Sequence, residues 1–193
     1  FSFKFSRLLP ITDSAQVDYD VFRQRFNQVG NTVVLAIDSF DVFNRELCPQ
    51  WQLLQDEMAS IPGVISVLSP INAVNLRRND SLGKLYYQSL NPALRRGVFD
   101  SVRVEYEKLP FYRGFLRSVD GQVPLMLIQI DPKLLYVKDI VTILDRLKFK
   151  VEEAESSMQR DIKISGLPHI RMANATKIKS EVYLLALLAM LVT

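Results

Sequence analysis

Residues 32–70 read TVVLAIDSFDVFNRELCPQWQLLQDEMASIPGVISVLSP, and the reading of this stretch decides the fold. TVVLAI (32–37) is a short, β-branched, continuous apolar run, the pattern of a buried strand. Leu47, Trp51, Leu54, Met58 and Ile61 then step by four, three, four and three, one stripe of an amphipathic helix. Asn44 stands where a helix cap belongs, and Pro49 is tolerable only near the helix start. Pro62-Gly63 ends the helix, and GVISVLS (63–69) predicts a second strand closed by Pro70. The unit is strand, helix, strand.

The same order returns downstream. RGFLRSV-DGQ-VPLMLIQI (113–130) predicts two strands around the turn dipeptide Asp120-Gly121. A helix is expected over 135–156, with Val137, Ile140, Leu144, Leu147 and Val151 on one side and Glu152, Glu153 and Glu155 on an acidic, solvated face. DIKIS (161–165) reads as a last strand, after which Gly166-Leu167-Pro168 turns the chain into a helical pattern running to the end. Upstream, ITDSAQVDYDVFRQRFNQVGN (11–31) predicts a helix capped by Asp13 or Ser14, with Val17, Val21, Phe22 and Phe26 at helical spacing and Gly30 as its stop. Between the two units, residues 71–110 are polar and basic and read as an insertion, with one helix over 93–109 that puts Val98, Val102 and Tyr106 on one face. The sum is an α+β fold: a ferredoxin-like, split β-α-β core with a helical insertion and a C-terminal helix.

Composition bounds the function. A chain of 193 residues has room for one domain with a helical annex, and 48% hydrophobic residues with 10% aromatics suffice for a packed core. The net charge of +3 implies no nucleic-acid surface. Residues 77–118 hold nine Lys/Arg against four Asp/Glu, an excess expected to solvate a helical surface. The lone Cys48 has no disulfide partner and no CxxC context, and His169 stands without a second ligand or a nucleophile. GxGxxG, Walker and HExxH motifs are missing from the sequence. No catalytic, cofactor-binding or metal-binding residue is therefore assigned, and the chain is not expected to be an enzyme.

The last residues, VYLLALLAMLVT (182–193), carry no charge, Gly or Pro and are apolar on every side. They read as the start of a transmembrane helix that continues in a longer protein, with residues 1–181 as the extramembrane domain.

LLPITDSAQVDYDVFRQRFNQVGNTVVLAI, MASIPGVISVLSP and IKISGLPHIR, the last leading through TKIKSEVYLLALLAMLVT, occur here in that order. In this the chain resembles the extramembrane porter domain of exporters of the resistance-nodulation-division (RND) superfamily, especially the mycobacterial-membrane-protein-large branch that exports hydrophobes and lipids. The resemblance implies a bacterial inner-membrane protein of about twelve spanning helices, in which this domain lies on the periplasmic or extracellular side between two of them. It also implies proton-driven export of amphiphilic or lipid-like molecules, a second porter domain in the same chain and an oligomeric whole, with proton-relay residues on membrane helices outside this sequence. On that reading Tyr86, Tyr87, Phe99, Phe111, Tyr112 and Phe115 are the candidate substrate contacts, and Gly166, Leu167 and Pro168 link the sheet to the membrane helix. The competing expectation is a ferredoxin-like sensing or protein-interaction module held by a single anchor.

Overall fold

A computed structural model describes Asp18, Val21 and residues 30–79, 83–135 and 139–192. The helix expected over 11–31 lies outside this set, except that Asp18 and Val21 are helical and exposed and Gly30, its expected stop, sits in a turn at φ +89.

The core elements follow the sequence pattern closely. Strand β1 (Thr32–Ile37) leads to helix α1 (Cys48–Ser60) and strand β2 (Val64–Leu68). Strand β5 (Leu125–Ile130), helix α4 (Asp139–Met158) and strand β6 (Ile162–Ser165) repeat the order after the insertion. The sheet runs β2-β5-β1-β6 with every neighbouring pair antiparallel, which is the ferredoxin-like arrangement. β1 and β5 are central and lie in register Val33↔Ile128 and Leu35↔Met126. Alternation therefore sends Val33, Leu35 and Ile37 to the same face as Met126, Ile128 and Ile130, and all six are buried. Trp51, Leu54 and Met58 of α1 and Leu144, Leu147 and Val151 of α4 are buried in the same hydrophobic core. The predicted stripes pack where they are described; Val137, expected at the head of the α4 stripe, lies outside the described residues.

Asn44 acts one turn earlier than a helix cap. Its Oδ1 accepts from the amides of Glu46 at 2.8 Å and Leu47 at 3.4 Å, and its carbonyl accepts from the Cys48 amide at 2.9 Å. The entry turn is thereby ordered ahead of α1, with Pro49 in the first helical turn, where no N–H is required.

The insertion differs most from expectation. It opens with a ribbon of two strands, β3 (Val74–Asn79) and β4 (Lys84–Ser89), that period-2 patterning did not flag because neither strand buries a face. The single helix expected over 93–109 is two, α2 (Asn91–Arg95) and α3 (Phe99–Glu107). Gly97 between them sits at φ +78, a left-handed position that ends the first helix. Val98 is accordingly exposed, whereas Val102 and Tyr106 are buried as expected. The first arm of the expected hairpin is also absent. Residues 113–117 fold back on themselves, with the Gly114 amide donating to the Arg117 carbonyl at 2.7 Å, and Pro124 has no N–H to extend a ladder. Strand-like pairing is reduced to one antiparallel bridge of Arg117 with Pro124, flanked by the Leu125 amide donating to the carbonyl of fully buried Leu116 at 2.8 Å and the Ser118 amide donating to the Val123 carbonyl at 2.9 Å.

The basic excess in this region clamps the insertion to the core. Arg95 pairs with Asp56 of α1 at 2.8 Å, and Arg103 pairs with Asp41 in the loop after β1. Arg77 pairs with Glu105 at 2.6 Å, fastening the ribbon to α3. Buried polar groups fix the exit from β2: Ser69 Oγ donates to Gln55 Oε1 at 2.5 Å, and Asn72 Nδ2 donates to the Val67 carbonyl at 2.7 Å.

Helix α5 (Leu167–Val192) leaves the sheet directly from β6. Its start is set by Gly166 at φ +114, where an added Cβ would lie 2.4 Å from the Thr32 carbonyl oxygen and 2.9 Å from Val33 Cα. Pro168 and Met172 pack inward, whereas Ile178, Val182 and Met190 further along are exposed. Gly166→Ala should lower stability by about 2 kcal/mol or more, through backbone strain and this clash, as read by urea denaturation.

Candidate functional site

The residues after α3 form a loop whose shape comes from paired side chains and not from a ladder. A 3-10 turn over Pro110–Tyr112 follows α3, and the chain then doubles back through Gly114 to the turn at Asp120-Gly121. Asp120 Oδ1 accepts from Ser118 Oγ at 2.5 Å and from the Gln122 amide at 3.1 Å. These bonds, the Ser118 hydroxyl first, hold the Asp120 carboxyl below its usual range. Arg117 spans the loop: its Nε donates to the Gly121 carbonyl and its Nη1 to Glu107 Oε1, both at 2.6 Å.

An open cavity of about 300 Å³ lies between the end of α3 and this loop. Tyr106, Glu107, Pro110, Arg113, Arg117 and Asp120 are among its lining residues. Tyr106 is 3% exposed, and its hydroxyl has no hydrogen-bond partner among the described residues. Burial, opposed in part by the Arg117 charge, pushes that hydroxyl up to about 12. Arg113 pairs with no carboxylate among the described residues; its Nε and Nη2 each reach only the Val119 carbonyl, at 3.4 Å.

Rings lead outward from the core beside this cavity. Phe43 and Tyr106 lie with centroids 5.2 Å apart, Tyr106 and Tyr112 stack at 6.0 Å, and Phe111 meets Tyr112 edge-on at 5.3 Å. Phe111 also pairs with Phe115 at 5.9 Å, and these two are exposed, Phe111 at 75%.

The six predicted contacts are therefore not one cluster. Phe111 and Phe115 form an exposed aromatic pair. Tyr112 is buried, and its hydroxyl is spent on Val74, donating to the carbonyl at 3.0 Å and accepting from the amide at 3.2 Å. It is a fastener between loop and ribbon, with no hydroxyl bond left over for a ligand. Phe99 is half-buried against the core. Tyr86 and Tyr87 are exposed but adjacent in β4, so they point to opposite faces of the ribbon. Arg113 and Arg117, which line the cavity, were not singled out from sequence, their only signal being the local basic excess; Tyr106, also in its wall, was expected only on the packed face of the 93–109 helix. Gly166 and Leu167 stand where β6 becomes α5, and Pro168 is buried in the first helical turn.

Other chemistry is sparse. Cys48 is buried, and its thiol is pushed up to about 11 by burial first and by the Asp41 charge second, so it stays protonated near neutral pH. Among the described residues no group of three or more His, Cys, Asp or Glu side chains is placed to hold a metal ion. No protein-family model matches the chain, and no curated protein matches it.

The two tyrosines separate by mutation. Tyr112→Phe should cost about 1–2 kcal/mol for the two bonds lost to Val74, whereas Tyr106→Phe, which removes an unpartnered buried hydroxyl, should be neutral or stabilising by about 1 kcal/mol. The raised value at Tyr106 means the folded state holds that proton more tightly than the unfolded chain does. Its contribution is full below about pH 10 and declines as pH rises toward 12. Alkaline unfolding curves of Tyr106→Phe should lack this part of the decline.

Proposed function

We propose that this chain is the substrate-capturing porter domain of a proton-driven, RND-type membrane exporter of hydrophobic or amphiphilic molecules. The observation that carries the reading is the uninterrupted run from β6 through Gly166 into α5. That helix of 26 residues emerges from the sheet with exposed Ile178, Val182 and Met190 toward its far end. A domain that obeys a membrane helix needs such a joint. The Gly166 backbone lies against Thr32 and Val33, so displacement of α5 bears on β1, a central strand, as well as on β6.

The membrane assignment falls on residues 182–193, which would begin a spanning helix. Among the described residues no helix is long and apolar enough to cross a membrane. The uncharged run covers about 18 Å of helix against roughly 30 Å of hydrocarbon. Lys177 and Lys179 precede it; positive charge favours the cytoplasmic side of a membrane, which weighs against a periplasmic domain, and their long side chains can instead snorkel to lipid headgroups. On this reading the exposed Phe111–Phe115 pair meets the apolar part of the transported molecule. The domain then lies outside the bacterial inner membrane and faces a second porter domain of the same chain.

A second reading, an anchored sensing or protein-interaction module, is favoured by the ribbon. Val74, Leu76, Leu85 and Tyr87 share one of its faces by register and are all exposed. Mapping the topology of the whole protein by cysteine labelling separates the two: several spanning helices beyond residue 193 support export, and a single anchor supports sensing.

The coupling has its own test in the full-length protein. Two glycines inserted between Gly166 and Leu167 should cut export of a fluorescent amphiphile at least tenfold with membrane abundance unchanged. Undiminished export would overturn the coupling.

A further inference from the structure

We propose that the cavity between α3 and the 109–121 loop binds the anionic head group of an acyl amphiphile, with the chain lying on Phe111 and Phe115. The inference deepens the capture role by naming the ligand class, and it rests on that role only for where the ligand comes from.

Donor capacity carries it. Both carboxylates of the cavity are committed: Glu107 to Arg117 at 2.6 Å, and Asp120 to Ser118 Oγ at 2.5 Å and the Gln122 amide at 3.1 Å. The arginines are not used up. Arg117 spends Nε and Nη1, and its Nη2 has no hydrogen-bond partner among the described residues. Arg113 has no carboxylate and only two long contacts to one carbonyl. Tyr106, more than nine-tenths buried, is part of the same wall. Guanidinium forks suit carboxylate and phosphate, which they hold by charge-assisted bonds.

The second half of the ligand follows from the loop. The turn that gives Pro110 and Arg113 to the cavity wall also carries Phe111, which pairs with Phe115 in solvent. About 300 Å³ admits a head group and the first methylenes, at the small end of ligand sites, so the remaining chain must lie outside. An exposed apolar pair beside unspent cationic donors matches a molecule with an anionic end and a greasy end.

Calorimetric titration of the 193-residue chain tests this with dodecyl phosphate, dodecanoate, dodecyl maltoside and dodecyltrimethylammonium, all below micelle formation, and with inorganic phosphate and acetate. The two anionic amphiphiles should bind at least tenfold more tightly than the neutral and cationic ones. Arg113→Gln should remove that preference and leave dodecyl maltoside unchanged, while Arg113→Lys retains part of it. Phe111→Ser should weaken every chain-bearing ligand, with thermal melts confirming the fold of each variant. Equal affinity for all head groups, or no binding at all, would overturn the proposal. Inorganic phosphate binding as tightly as dodecyl phosphate would also overturn it, marking a site for free anions. An unsubstituted chain with no anion preference beside intact export would sink this inference alone; the expected binding beside absent export would sink only the exporter reading.

Discussion

The structure depends on the pairing of β1 with β5. These strands are far apart in sequence, yet their register Thr32↔Gln129 to Ala36↔Leu125 builds the centre of the sheet. A one-residue slip would turn Val33, Leu35 and Ile37 away from Met126, Ile128 and Ile130 and leave both helices without a surface. Burying these six side chains is worth on the order of 10 kcal/mol, comparable with the net stability of a whole domain. The insertion must therefore return the chain to one place. Its ion pairs with Asp41 and Asp56, and the Ser69–Gln55 bond at its entry, tie it to the core on the way back.

The cavity follows from that return path. Residues 113–117 fold back and do not pair as a strand, so Arg117 is drawn across the loop to Gly121 and Glu107. A regular hairpin would have put alternate side chains into solvent and the core and left no hollow. Irregular backbone here lines a site, while regular backbone elsewhere holds it still.

Legibility divides along the same line. β1 read as a continuous apolar run because it is central and pressed against helices, β5 read as the second arm of a hairpin, and α1 and α4 read from stripes whose described members are buried or, at Leu47, partly buried. Such signals are local and periodic. The ribbon was not legible because exposure on both faces erases alternation. The break at Gly97 was hidden inside an otherwise helical pattern. Within the site, Phe111 and Phe115 were legible as aromatics with nothing nearby in sequence to bury them. Tyr112 looked identical and is buried, because its partner Val74 lies 38 residues away. Most of the basic residues are exposed, as a solvated surface requires, but sequence did not show that Arg77, Arg95, Arg103 and Arg117 pair with carboxylates there, and what remains for Arg113 emerges only once those pairs are drawn.

The ribbon carries a colloidal consequence. Among the described residues no strand pairs with either outer edge of this two-stranded sheet, although Tyr112 bonds Val74 on the β3 edge, and one face is greasy, which is a template for strands of another molecule. Arg78 and Lys84, near its tip, act as gatekeepers, since copies meeting edge to edge must bring like charges together. Salt shortens the reach of that repulsion from about 8 Å at physiological strength to about 3 Å at 1 M. Concentrated brine should thus turn a well-behaved solution turbid.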